Sequence, residues 1–108
     1  MTQTFTIKRG DTSPALRWEL ANSEIVLTGV SVVFNMKRIR DGVLVIDRGA
    51  AEVVAGVELP TLGYNWKAAD TDQAGLYEAE FEITFADQSV ETYPNSENIV
   101  VKVVPDLG

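Results

Sequence analysis

Three glutamates, Glu78, Glu80 and Glu82, occupy alternate positions of one segment. On a β-strand such residues share a face, roughly 7 Å apart from one to the next. Three carboxylates on one face can dock a basic partner or hold a hard cation through clustered oxygens. The ordinary reading is a solvated sheet face balanced by Lys37, Arg38 or Arg40 on a neighbouring strand, because one-sided sheets alternate apolar and polar residues by default. A second acidic pair lies in Asp70-Thr71-Asp72, which resembles part of a calcium loop but lacks the spaced third oxygen residue and the closing glutamate. Asp and Thr at such corners bond to their own backbone, so a turn is expected.

Arg9-Gly10-Asp11 matches the tripeptide that integrins recognise, yet three letters recur by chance, and the stretch reads as a turn. Trp18 and Trp66 have the chemistry to stack on a sugar; both lie in alternating segments, and core packing is expected of them. The chain has no histidine and no cysteine. Without imidazole or thiol, the usual general base, the hydrolytic triads and most zinc or iron sites lose their residues. Carboxylates alone can cleave glycosides, but that requires a pair facing each other across a cleft. No glycine-rich phosphate loop, GxSxG elbow or Asn-x-Ser/Thr site occurs. The sequence therefore predicts a protein that is not an enzyme, with no catalytic residue, no cofactor-binding residue and no metal ligand.

The elements that carry these residues must fit in 108 residues, which is room for one domain, residues 1–108, and not for two. A hydrophobic share of 45% against 23% charged is enough to build a core, unlike the composition of disordered chains. With no disulfide available, packing alone must hold the fold. Sixteen acidic residues against nine basic ones leave a charge of −7, which repels phosphate backbones and anionic membranes and argues against both as partners. The first residues lack the basic start and apolar run of a signal peptide, and no apolar stretch is long enough for a membrane helix.

Period-two alternation dominates the chain in short segments separated by turn residues, as in half-buried strands. Phe5 and Ile7 open the series; Leu16, Trp18 and Leu20 form the second strand, and Val30, Val32, Phe34 and Met36 the third after a short apolar piece, Ile25 to Leu27. Asp41-Gly42 predicts a two-residue hairpin turn returning Val43 to Asp47 antiparallel to Met36 to Arg40. Between Gly49 and Gly63 the pattern is broken, and residues 50–54 fit either a strand or a helical turn. Tyr64 and Trp66 alternate with Asn65 and Lys67, followed by a polar corner from Ala68 to Gly75. The clearest strand runs from Leu76 to Phe85, with Tyr77, Ala79, Phe81, Ile83 and Phe85 on the core face. Asp87-Gln88 makes a turn, Val90 to Tyr93 pairs back, and Ile99 to Val104 closes the domain ahead of a short tail, Pro105 to Gly108, expected to fray. Seven to nine short strands with no convincing helix predict an all-β antiparallel sandwich, with a small barrel as the alternative.

Gly75-Leu76-Tyr77-Glu78-Ala79 resembles the tyrosine corner of immunoglobulin-like domains, with Ala79 where antibody domains place a cysteine and Gln73 where an aspartate is usual. A wider set is similar to a bacteriophage family, the immunoglobulin-like N-terminal domain of baseplate upper proteins. The resemblance runs from Phe5 to Val104. It rests on Phe5-x-Ile7-x-Arg9-Gly10-Asp11-Thr12 with Pro14 and Leu16, Leu27-Thr28-Gly29, Val33-Phe34-x-Met36-Lys37, Gly42, Tyr64-x-Trp66, Asp70-Thr71, Gly75-x-Tyr77-x-Ala79-x-Phe81 and Thr92-x-Pro94. No single piece is specific; order and spacing carry it. It implies an immunoglobulin-like sandwich that acts as a structural protein of a phage or prophage tail, has no active site, resides in the virion after assembly in the bacterial cytoplasm, and docks onto other tail or baseplate proteins or onto copies of itself. Family members commonly continue into a helical linker and a distal domain, whereas this sequence stops at Gly108, as a freestanding tail component or a trimmed copy would. The same sandwich also serves as an extracellular adhesion or carbohydrate-binding module, and that reading stays open on the residues alone.

Overall fold

The structure, a computed structural model, describes residues 3–20 and 25–107. Among them nine strands form two sheets: β1 (Thr4–Lys8), β2 (Leu16–Glu19), β3 (Ser31–Arg38), β4 (Leu44–Ala50), β5 (Glu52–Val53), β6 (Thr61–Tyr64), β7 (Gly75–Thr84), β8 (Val90–Tyr93) and β9 (Ile99–Val104). A single 3-10 turn, Ala68–Thr71, joins β6 to β7. The larger sheet runs β1-β9-β7-β3-β4, with β8 paired to β7 as well; the smaller runs β2-β6-β5. This is an all-β, two-sheet sandwich.

The core follows from alternation. Along β3, Val32, Phe34 and Met36 turn inward, and along β7, Tyr77, Ala79, Phe81 and Ile83 do the same; all seven are buried. Ile99, Val101 and Val103 of β9 add a third row, and Leu16, Leu62 and Tyr64 face them from the smaller sheet. Phe34 sits at the centre: its ring stacks on Tyr64 at 4.4 Å, meets Trp66 edge-on at 5.8 Å and lies 5.0 Å from Phe81. Fully burying one such ring contributes about 1.5–3 kcal/mol, and each well-placed aromatic pair about 0.5–1.5 kcal/mol more. Trp66 belongs to this cluster and is buried, so it is core, as its alternation predicts.

Several local expectations are corrected. The hairpin after β3 does not turn on two residues: Arg38 N–H donates to the Val43 carbonyl and Gly42 N–H to the Arg38 carbonyl, leaving a four-residue loop, Ile39 to Gly42. Only Gly42 in that loop has positive φ, at 71°. Asp41 is better used otherwise, its carboxylate accepting the Val43 N–H at 3.1 Å and the Arg38 guanidinium at 3.1 Å. Further along, β4 bulges twice against β3, and at the second bulge Arg48 takes φ 54° while its N–H donates to Asn35 Oδ1 at 2.7 Å.

The ambiguous stretch resolves into the end of β4, the two-residue β5, and β6, whose four residues are all buried. β6 ends at Tyr64, so Asn65 and Trp66 lie beyond it. The guanidinium of Arg17 lies across Gly63: a Cβ there would come within 2.7 Å of Arg17 Nη1 and 3.0 Å of Val54 Cγ2, so a larger residue would displace the arginine. The strands are not all antiparallel either: β1 runs parallel to β9, Thr4 opposite Val100 through Lys8 opposite Val104. Parallel neighbours need a long crossover, and here the whole intervening chain supplies it. Pro105 to Leu107 carry no regular structure, and Gly108 lies outside the described residues.

Candidate functional site

The glutamate stripe is real as a row and unlike its expected pairing. Glu78, Glu80 and Glu82 share the outer face of β7 and are half-buried, because strands flank β7 on both sides. Glu82 takes its cation from Arg48 of the bulge at 3.1 Å, and Glu78 accepts the Asn98 amide at 2.9 Å. Lys37 stands opposite Glu78 in the ladder and makes no ion pair among the described residues, Arg38 is held by Asp41, and Arg40 lies in the hairpin loop. The bulge that presents Arg48 has no sequence signal, since nothing in Asp47-Arg48-Gly49 marks Arg48 rather than Gly49 for positive φ.

The acidic corner closes on itself. Asp70 Oδ2 accepts both the Tyr64 phenol at 2.7 Å and the Lys67 N–H at 2.8 Å. Burial and the adjacent carboxylate push the Tyr64 phenol well above its ordinary pKa. Thr71 is fully buried, and its hydroxyl donates to the Asp11 carbonyl at 2.9 Å. Among the described residues no three acidic side chains converge as a metal site would require. The Arg9-Gly10-Asp11 tripeptide is that corner's other half: Asp11 N–H donates to the Lys8 carbonyl, Gly10 N–H to the Thr71 carbonyl, and Arg9 pairs with Asp106 at 2.9 Å.

The two tryptophans part company. Trp66 is sealed in the core, whereas Trp18 is half-buried on the smaller sheet and lines a groove with Glu19, Glu91, Tyr93 and Asn95. Leu20 and Ile25, on either side of the undescribed residues 21–24, also line it. The Tyr93 phenol donates to Glu91 at 2.9 Å, and partial burial and that carboxylate push its pKa up to about 12.

A feature the sequence reading passed over lies on the outer face of the larger sheet. Leu76 and Ile39 are backbone neighbours, Ile39 N–H donating to the Leu76 carbonyl, and Leu44 stands opposite Lys37 one row along. Their exposures are 48%, 44% and 50%. A shallow depression beside Leu76 and Ile39 is walled by Arg40, Gln73 and Ala74. One signal was available: Leu76 occupies the polar parity of β7, out of step with Tyr77 and Ala79. Tyr77 itself donates its hydroxyl to the Gln73 carbonyl at 2.6 Å, which is the bond that defines a tyrosine corner. No family model, curated protein or solved structure matches the chain.

Proposed function

We propose that the chain is an immunoglobulin-like structural protein of a bacteriophage or prophage tail or baseplate, without catalytic activity, which docks onto neighbouring virion proteins and resides in the virion. The observation that carries the docking role is the exposed apolar pair Leu76 and Ile39, with Leu44 one row along on the same side of the sheet, bordered by Lys37, Arg40 and Lys102. Contiguous apolar surface with a polar rim is the anatomy of a protein contact. The phage assignment rests on the resemblance from Phe5 to Val104, and the Tyr77–Gln73 bond and the β1-β9-β7-β3-β4 order support its immunoglobulin-like part. Among the described residues no helix is long and apolar enough to cross a membrane.

The test is co-expression of the tagged chain with the tail, baseplate and neck proteins encoded beside it. At least one should co-purify, and Leu76→Glu should reduce its recovery severalfold. Retention of none of them removes this reading.

A second reading, a carbohydrate-binding module, is favoured by one observation: Trp18 lines a groove together with Tyr93, Asn95 and Glu91, an aromatic ring beside polar side chains. A glycan array supports it if binding appears and Trp18→Ala abolishes it. An array without hits excludes it.

A further inference from the structure

The molecule carries a second exposed apolar patch whose rim has the opposite charge. Ahead of β6, Val57 and Leu59 are 50% and 43% exposed and line, with Val54, a groove of about 570 Å³ whose other walls include Glu19 and Glu58. Arg17 in the same wall is occupied by the Leu16 carbonyl at 3.2 Å and by Glu52 at 3.9 Å. Around the first patch, Lys102 stands opposite Leu76, Lys37 opposite Leu44, and Arg40 follows Ile39. Among the described residues these three cations make no ion pair, and neither do Glu19 and Glu58.

The patches lie on different sheets and at opposite ends. The Tyr64 end of β6 is tied through Asp70 to the turn that leads into Leu76, while Val57 and Leu59 precede the Thr61 end of the same strand. The β4 and β5 edges are poor contact sites, since β4 is bulged and β5 has two residues, both devices that block strand addition.

We infer that copies of this chain associate head to tail, the cationic patch around Leu76 of one against the acidic patch around Leu59 of the next. Each surface is apolar at its centre; around the first, Lys37, Arg40 and Lys102 outweigh the Glu78 that faces Lys37, and around the second Glu19 and Glu58 carry the unpaired charge. Like-charged surfaces elsewhere on a chain of −7 oppose other orientations. A contact between two different patches is heterologous: it leaves one free patch at each end, so it extends into a filament or closes into a ring. The inference rests on the docking reading in taking these patches as contact surfaces and names a second copy as the occupant.

Sedimentation equilibrium from micromolar to millimolar concentration tests it, with circular dichroism confirming that each variant is folded. The wild type should gain mass with concentration. Leu76→Glu and Leu59→Glu should each weaken association by at least about tenfold, as loss of a central contact does. Mixed together, these two variants should pair one to one and go no further, because each keeps the patch the other has lost. Arg40→Glu should weaken association, and mixing it with Glu58→Lys should restore pairing. A wild type that stays monomeric, or mixed variants that fail to pair, overturns the inference. Co-purification with neighbouring tail proteins reports on the docking reading separately, since it needs no self-contact.

Discussion

Tyr64 and Asp70 join the smaller sheet to the corner that launches β7, phenol to carboxylate at 2.7 Å. Asp70→Ala strands a buried hydroxyl and a backbone N–H together, whereas Tyr64→Phe removes only the hydroxyl and leaves Asp70 its bond from Lys67. Hydrogen bonds to charged groups are worth about 1.5–3 kcal/mol, and for a domain of this size each kcal/mol moves the melting temperature by roughly 4–8 °C. Thermal denaturation should show Asp70→Ala as the more damaging, by about 10 °C, with Tyr64→Phe at half of that or less. The reverse order would mean that the carboxylate is not the hub.

The same contact sets a base sensitivity. Tyr64 and Tyr93 hold their protons above the ordinary tyrosine pKa of 10.0, Tyr64 through burial and Asp70, Tyr93 through burial and Glu91. Above pH 10 the unfolded chain therefore loses these protons while the folded chain keeps them, so the unfolded state binds fewer protons and stability falls as pH rises. The stabilising term is complete below pH 10 and is lost through the alkaline range. Urea midpoints measured from pH 8 to 12 should decline beyond pH 10, and less steeply in Tyr64→Phe.

The Tyr77 hydroxyl is expected to matter to a smaller degree. Its acceptor, the Gln73 carbonyl, sits on an exposed residue that water can reach once the bond is gone. Tyr77→Phe should cost about 1 kcal/mol, the usual net worth of a neutral hydrogen bond. Chemical denaturation with an unchanged slope is the check; a loss above about 3 kcal/mol would contradict the geometry.

Two glycines should fail for different reasons when replaced by alanine. At Gly49 a Cβ would lie 2.7 Å from Ile46 Cγ2 and 3.1 Å from Tyr64 Cε1, so overpacking costs on the order of 1–3 kcal/mol. At Gly42 there is open space, but φ of 71° costs an L-residue about 1–2 kcal/mol. D-alanine introduced by chemical synthesis at position 42 should recover the loss there, because the strain at that position is one of handedness alone.

The inward rows of β3, β7 and β9 were readable from sequence because each strand packs one face and wets the other, which writes its orientation as alternation. Asp41-Gly42 marked the right place for a turn but not its length. Asp41 binds the backbone and Arg38 through its side chain, an arrangement as compatible with a four-residue loop as with a shorter one. β6 was hidden because all four of its residues are buried, which erases the alternation, and because Gly63 lies under Arg17, a residue 46 positions away in sequence. The exposed apolar side chains on the larger sheet were equally hidden. Leu76 and Ile39 are distant in sequence and become neighbours, with Leu44 one row along, only through the ladders that join β3 to β4 and β7.

By itself, the order of residues determined an all-β chain, the inward set of its long strands and the absence of imidazole and thiol chemistry, since alternation and composition act within a few neighbours. Tertiary structure alone decided which strands neighbour one another, β1 lying parallel to β9, that Arg48 and not the cations near Lys37 balances Glu82, and that Leu76 and Ile39, far apart in sequence, become neighbours at the surface. Those outcomes depend on pairing and register between distant segments, and the energy that selects a register comes from side chains that touch only after the sheets have closed.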